Sequence, residues 1–205
     1  ATFCPKDGHC LPEAVVHGYA FAARDLGARI VQFCPVTDIV TRGGEVTAVV
    51  TPRGTVRTSC VIDVAGPWAA SIGRMVGVEL PVVPVSRPIW YTEPMPSRPP
   101  VVPMTIDFST GFYFHAEGEG LLFGMADPDQ PGGFDAPTRA DWLERVGDVV
   151  ARRAPALLDV GIAGGWHGFY ETTPDHNALI GEVASPSRFL YATGFSGHGF
   201  QLGPA

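Results

Sequence analysis

Residues 191–205, YATGFSGHGFQLGPA, hold the densest run of chemistry-bearing types in this chain of 205 residues. Glycines at 194, 197 and 199 leave the backbone bare, and Phe195, Ser196, His198, Phe200 and Gln201 sit among them. A glycine-rich turn after the apolar run FLYATG lets main chain come close to a ligand. A helix starting there would aim free N–H groups and its positive end at that ligand, which favours an anion or a group that becomes one. The same composition also suits a β-to-α turn that holds nothing. A second candidate is TTPDHN, where Asp175 and His176 have the types of an acid–base pair. Asp after Pro174 equally suits a turn in which the carboxylate accepts backbone N–H groups.

Other chemistries find little support. A dinucleotide fingerprint needs Gly-x-Gly-x-x-Gly at the opening of a βαβ unit. Gly197, Gly199 and Gly203 are spaced one residue too wide, as are Gly118, Gly120 and Gly124. Cys4, His9 and Cys10 have ligand types, but no second cluster completes a four-ligand zinc site, so no metal is expected and a metal hydrolase lacks its ligand set. Cys4, Cys10, Cys34 and Cys60 show no Cys-x-x-Cys spacing; they read as free, mostly buried thiols of a reducing cytoplasm. A net charge of −7 disfavours nucleic acid and anionic membrane as partners, and no apolar run reaches the ~20 residues of a membrane helix. With 45% apolar and 17% charged residues, the chain has the composition of a folded protein.

The elements that position these residues are read from periodicity. PEAVVHGYAFAARDLGA is expected as a helix started by Pro12 and closed by Gly27, with Val15, Tyr19, Ala22, Ala23 and Leu26 on one face. RIVQF reads as a strand. Residues 36–65 read as a β-meander turning at Gly43-Gly44 and Arg53-Gly54, and CVIDVA as a strand buried on both faces. GPWAASIGRMVG is a short helix; residues 82–126 hold three or four strands. PTRADWLERVGDVVARRAP is a helix with Thr138 as N-cap, Asp141 in the first turn, and Trp142, Val146, Val149 and Val150 on its apolar face. ALIGE and RFLYATG are strands before the glycine-rich turn. The class is α+β or α/β.

GFYETTPDHNALIGE followed by RFLYATGFSGHGFQLGPA resembles the C-terminal part of the flavoprotein amine oxidoreductases, among them sarcosine oxidases, glycine oxidase, dimethylglycine dehydrogenase and D-amino-acid oxidases. The resemblance extends through GHCLPEAVVHGYAFAARDLGARI, CVIDVAGPWAASIGRMVGVELPVVPVSRPIW, and GFYFH with LLFGMADPD. It implies part of a Rossmann-like, glutathione-reductase-type FAD-binding domain over 1–80, an antiparallel-sheet substrate domain over 81–165, and a return to the FAD-binding domain over 166–205. It also implies that the FAD-binding βαβ unit lies upstream of Ala1. The chain then reads as a fragment that alone holds FAD weakly or not at all, and that associates with itself or with the missing segment.

By the same resemblance the turn Gly194, Phe195, Ser196, Gly197, His198, Gly199, Phe200 and Gln201 passes beside the flavin. Val36 lies along the adenine, and Ala65, Gly66 and Trp68 are near the cofactor. Tyr170 and Tyr113 border the substrate space, where a hydroxyl meets a carboxylate, or are ordinary strand aromatics. His198 reads as a base or, preferably, a structural residue at the flavin edge. Gln201 replaces an oxygen-activating lysine, which favours a dehydrogenase or slow oxidase. Gly168 replaces the cysteine that bonds the flavin in monomeric sarcosine oxidases, so no covalent link forms there. Ala126 replaces a histidine of those oxidases, making sarcosine a poorer substrate. The implied activity is oxidation of a small secondary or tertiary amine, or an amino acid, by hydride transfer to FAD. The alternative is a remnant or binding module that keeps the fold without the cofactor.

Overall fold

The computed structural model describes residues 1–6, 8–135, 139 and 141–203. The chain divides into two units, one of residues 1–11 and 86–169, the other of residues 12–85 and 170–205.

In the first unit a five-stranded sheet has the order β6-β7-β8-β5-β9, with β5 Val83–Thr92, β6 Thr105–Asp107, β7 Phe112–Glu117, β8 Gly120–Gly124 and β9 Ile162–Thr172. Alternation along these strands separates two faces. Trp90, Phe123 and Phe114 pair across β5, β8 and β7 and join the core with Phe112 and Leu121. The helix α3, Trp142–Arg153, covers that face with Trp142, Val146, Val149 and Val150, the residues its periodicity singled out. The Trp142 indole donates to the Met125 carbonyl at 3.0 Å, so α3 is tied at its first turn to the chain just beyond β8. At its last turn Arg153 pairs with Asp107 at 2.8 Å. Hydrogen bonds from Ser109, and then from Thr110, together with the Arg153 charge, hold the Asp107 carboxyl down at about 2. Asp141 precedes the helix and pairs with Arg139 and Arg145; Thr138 lies outside the described residues.

In the second unit β1 Asp38–Arg42, β2 Glu45–Thr51 and β3 Gly54–Arg57 form an antiparallel meander. Gly43 and Gly44, at φ +60° and +82°, make the two-residue turn expected between β1 and β2. A second sheet has the order β10-β11-β4, with β4 Val61–Asp63, β10 Leu179–Glu182 and β11 Phe189–Thr193. β11 runs parallel to β4 and antiparallel to β10. Ile39, Val46 and Phe189 form a core with Ile72 and Met75 of α2, Ala69–Met75, which follows a 3-10 turn at Gly66–Trp68. The short helix α4, Gly199–Leu202, follows β11.

Three expectations are corrected. RIVQF is not a strand: no described strand pairs with it, and Ile30, Val31 and Phe33 are exposed. CVIDVA is not buried on both faces: Asp63 is buried on one face of β4, while Ile62 and Val64 are exposed on the other, and β4 also lies at the edge of its sheet. The helix α1, Pro12–Asp25, forms as its periodicity indicates and Gly27 follows it at φ +96°; it has no buried residue, and Tyr19 and Leu26 face solvent. The cysteines are free but not mostly buried: Cys4, Cys10 and Cys60 are exposed and lie outside every core cluster. The glycine-rich segment before TTPD, left unassigned by periodicity, is the long strand β9.

Phe112 is 1% exposed at the centre of the first core. Phe112→Ala is expected to cost about 3–5 kcal/mol of stability in denaturant titration, since the cavity cannot collapse between sheet and helix.

Candidate active site

The glycine-rich turn begins where β11 ends, and its geometry explains its composition. Gly194 and Gly197 have φ of +75° and +95°, in the left-handed region that favours glycine. A side chain at Gly194 would collide with the Thr173 methyl, and one at Gly197 with the Tyr170 ring. Ser196, also at positive φ, is buried, and its hydroxyl donates to the Gly194 carbonyl at 3.1 Å while accepting the Thr173 N–H at 3.3 Å. The His198 N–H donates to the Phe195 carbonyl at 2.9 Å, and His198 then stands as the exposed residue before α4. Phe200 and Gln201 lie on α4 and are exposed. Tyr170, Thr173, Gly194, Phe195, Ser196, Gly197 and His198 are thus brought together within one unit.

The end of β4 reaches the same place. The Thr193 hydroxyl lies 3.3 Å from the Gly66 carbonyl and 3.1 Å from the Glu171 carboxylate. Gly66 has φ +55°, and a side chain there would sit 3.3 Å from Glu171. Ala65 and Trp68 flank it, Trp68 being 54% exposed. Val36 lies elsewhere in this unit, packed on the Ile39, Val46 and Phe189 core. Tyr113 belongs to the other unit, on the face of its sheet opposite the α3 core, where it crosses over Gly124. Gly168 lies on β9 and its missing side chain would be 3.0 Å from the Trp166 ring; Ala126 is exposed just beyond β8.

Two carboxylates stand beside the turn that the sequence reading did not single out. Glu171 accepts the Phe195 N–H at 3.3 Å as well as the Thr193 hydroxyl. A lone acidic residue inside a glycine- and aromatic-rich strand was the available signal. Asp63 is 3% exposed; its Oδ1 accepts the Ala65 N–H at 3.0 Å and its Oδ2 is buried with no hydrogen-bond partner. Burial pushes its carboxyl up, the Ala65 N–H partly offsets this, and the Glu171 charge adds to the rise. Asp175 is a turn residue: hydrogen bonds from the Asn177 side chain and N–H hold its carboxyl below the usual range, and His176 follows at φ +60°. Among the described residues no group of three or more His, Cys, Asp or Glu gathers to hold a metal, and no helix is long and apolar enough to cross a membrane.

The glycine-rich turn after β11 stands beside the end of the parallel strand β4. The buried, unpaired Asp63 Oδ2 beside Ala65 and Gly66 adds a polar atom still without a partner. The chain belongs to a family of FAD-dependent oxidoreductases, whose model matches residues 1–205. Its relatives include human mitochondrial sarcosine dehydrogenase, 30% identical over 220 residues, 98% of this chain and 23% of that protein. Glycine oxidase of Bacillus subtilis (strain 168) is 28% identical over 209 residues, 100% of this chain and 54% of that protein. The crystal structure of L-proline dehydrogenase from P. horikoshii superposes with a TM-score of 0.86 at 27% identity, over 94% of this chain and 52% of that one. The chain therefore spans about a quarter to a half of the length of these relatives.

Two outcomes follow from the turn and the buried acid. Gly197→Ala forces a Cβ against Tyr170 at a positive φ; it is expected to cost about 1–3 kcal/mol in denaturant titration. Asp63→Asn keeps the acceptor for Ala65 N–H and removes the buried charge. Because the folded-state pKa of Asp63 is raised, wild-type stability is highest with Asp63 protonated and falls as pH rises through that pKa. The variant should melt at a higher temperature than wild type at pH 7, with the gap closing toward pH 4.

Proposed function

We propose that the protein carrying this chain oxidises a small secondary or tertiary amine, or an amino acid, with FAD as the acceptor. Family membership and the named activities of the relatives support the reaction class. The observation that carries it is the glycine turn at Gly194–Gly199, where Gly194 and Gly197 take positive φ and a Cβ would meet Thr173 or Tyr170. When bound there, FAD supplies a two-electron acceptor for the hydride lost from the substrate's C–N carbon, and the imine formed is hydrolysed in water.

The roles of this chain's own residues follow from chemistry. Ala65, Gly66, Trp68 and the turn Gly194–Gln201 would hold the flavin, with Val36 toward the adenine. Tyr170 and Tyr113 would receive the substrate, each offering a ring wall and a hydroxyl to a carboxylate. His198, exposed at the start of α4, would serve the flavin edge. Gln201 donates hydrogen bonds but carries no charge, which favours a dehydrogenase over a fast oxidase. Glycine at 168 offers no nucleophile, so the flavin is held there without a covalent bond. The exposed free thiols fit a reducing compartment such as the cytoplasm. The outer edge of β4 and the exposed side chains of α1 suit cover by a further segment or a second copy.

The test is anaerobic reduction of the purified flavoprotein by sarcosine, dimethylglycine, glycine and L-proline, followed at the flavin absorbance band. At least one amine is expected to bleach it. Tyr170→Phe and Tyr113→Phe should each raise KM by about 10- to 100-fold, corresponding to the loss of one hydrogen bond to a charged group. A protein without flavin colour, or one that none of the amines reduces, would sink the reading.

A further inference from the structure

We infer that Glu171 is the positioning residue of the glycine turn, a role that rests on reading that turn as the flavin edge. Glu171 sits next to the end of β9 and is partly buried. Three of its oxygens are used. Oε1 accepts the Phe195 N–H at 3.3 Å, Oε2 accepts the Thr193 hydroxyl at 3.1 Å, and the main-chain carbonyl accepts the Ser196 N–H at 3.1 Å. The residue therefore grips the turn on both sides of Gly194, where the chain changes to positive φ.

The same carboxylate governs the second segment of the site. Thr193 is fully buried, and its hydroxyl has one proton for two acceptors, Glu171 and the Gly66 carbonyl. An ionised carboxylate is acceptor only and is the stronger competitor. It draws the Thr193 proton and stands 3.3 Å from where a side chain at Gly66, at φ +55°, would begin. One side chain on β9 thus sets the relation between the end of β4 and the turn after β11, the two segments that would face the flavin. Glu171 touches neither cofactor nor substrate in this arrangement; it acts through Phe195, Ser196 and Gly66.

Glutamine at this position can keep the pattern: its oxygen accepts the Phe195 N–H, and its amide donates to the Thr193 hydroxyl, which then turns its proton to Gly66. Alanine cannot. The experiment compares wild type, Glu171→Gln, Glu171→Ala and Thr193→Val in the full-length protein. Without FAD, amide exchange at Phe195 and Ser196 should speed up tenfold or more in Glu171→Ala, while Leu190 on β11 is unchanged; Glu171→Gln should stay near wild type. With FAD, Glu171→Ala should bind at least tenfold more weakly. It should also lose a further tenfold in preference for the reduced flavin, a fall in potential of about 30 mV for a two-electron couple. Unchanged exchange in Glu171→Ala would overturn the inference, as would faster exchange with unaltered FAD affinity and potential. If Glu171→Ala does not fold, Thr193→Val decides: it removes one grip without the cavity, and exchange equal to wild type at Phe195 overturns the inference. A wild-type protein that binds no FAD would remove the flavin reading, while the exchange rates would still decide the anchoring.

Discussion

The parallel pairing of β4 with β11 is the constraint on which the candidate site depends. Val61, Ile62 and Asp63 lie against Phe189, Leu190 and Tyr191, so two strands far apart in sequence end side by side. Parallel strands that end together present their following turns at one edge, the usual place for a ligand in open α/β sheets. The segment Ala65–Trp68 and the turn Gly194–Gly199 are the two turns so presented. Phe189, wholly buried, anchors the start of that pairing in the core shared with Ile39, Val46 and α2.

Given that pairing, backbone space decides the residue types. Gly194 is closed in by Thr173 and Gly197 by Tyr170, and both have positive φ, so sterics and conformation make the same demand. The buried polar atoms complete the arrangement. Ser196, Thr173, Thr193 and Glu171 exchange hydrogen bonds among themselves and with the turn, as buried polar groups must. Asp63 departs from that rule with one unpaired oxygen, and the departure falls beside the proposed cofactor segment.

The other unit solves a different problem. Its sheet buries Trp90, Phe112, Phe114 and Phe123 under α3, and ion pairs and an indole hydrogen bond fasten the helix at both ends. This frees the opposite face for Tyr113 and for glycines at 124 and 164, where the Tyr113 and Tyr91 side chains cross the strands.

The local elements were legible in the sequence because their signals are local. The apolar face of α3, the Gly43-Gly44 hairpin, Pro12 opening α1 and the strands around the glycine turn are set by periodicity and by residues with few allowed conformations. The Asp175 turn was legible for the same reason. Burial was not. RIVQF and CVIDVA have the composition of buried elements, yet burial needs a neighbour, and the described chain supplies none on those sides. The strand β9 was hidden because glycine weakens strand propensity; its pairing in the sheet and the ring contacts over its glycines overrule that preference. Glu171 and Asp63 were hidden for a like reason. A single carboxylate carries no spacing signal, and its role exists only once β9, β4 and β11 bring Phe195, Thr193 and Gly66 within hydrogen-bond distance or van der Waals contact. Sequence alone determined which residues could form the turn; tertiary contact decided what holds it, because hydrogen-bond partners distant in the chain meet only in the folded state.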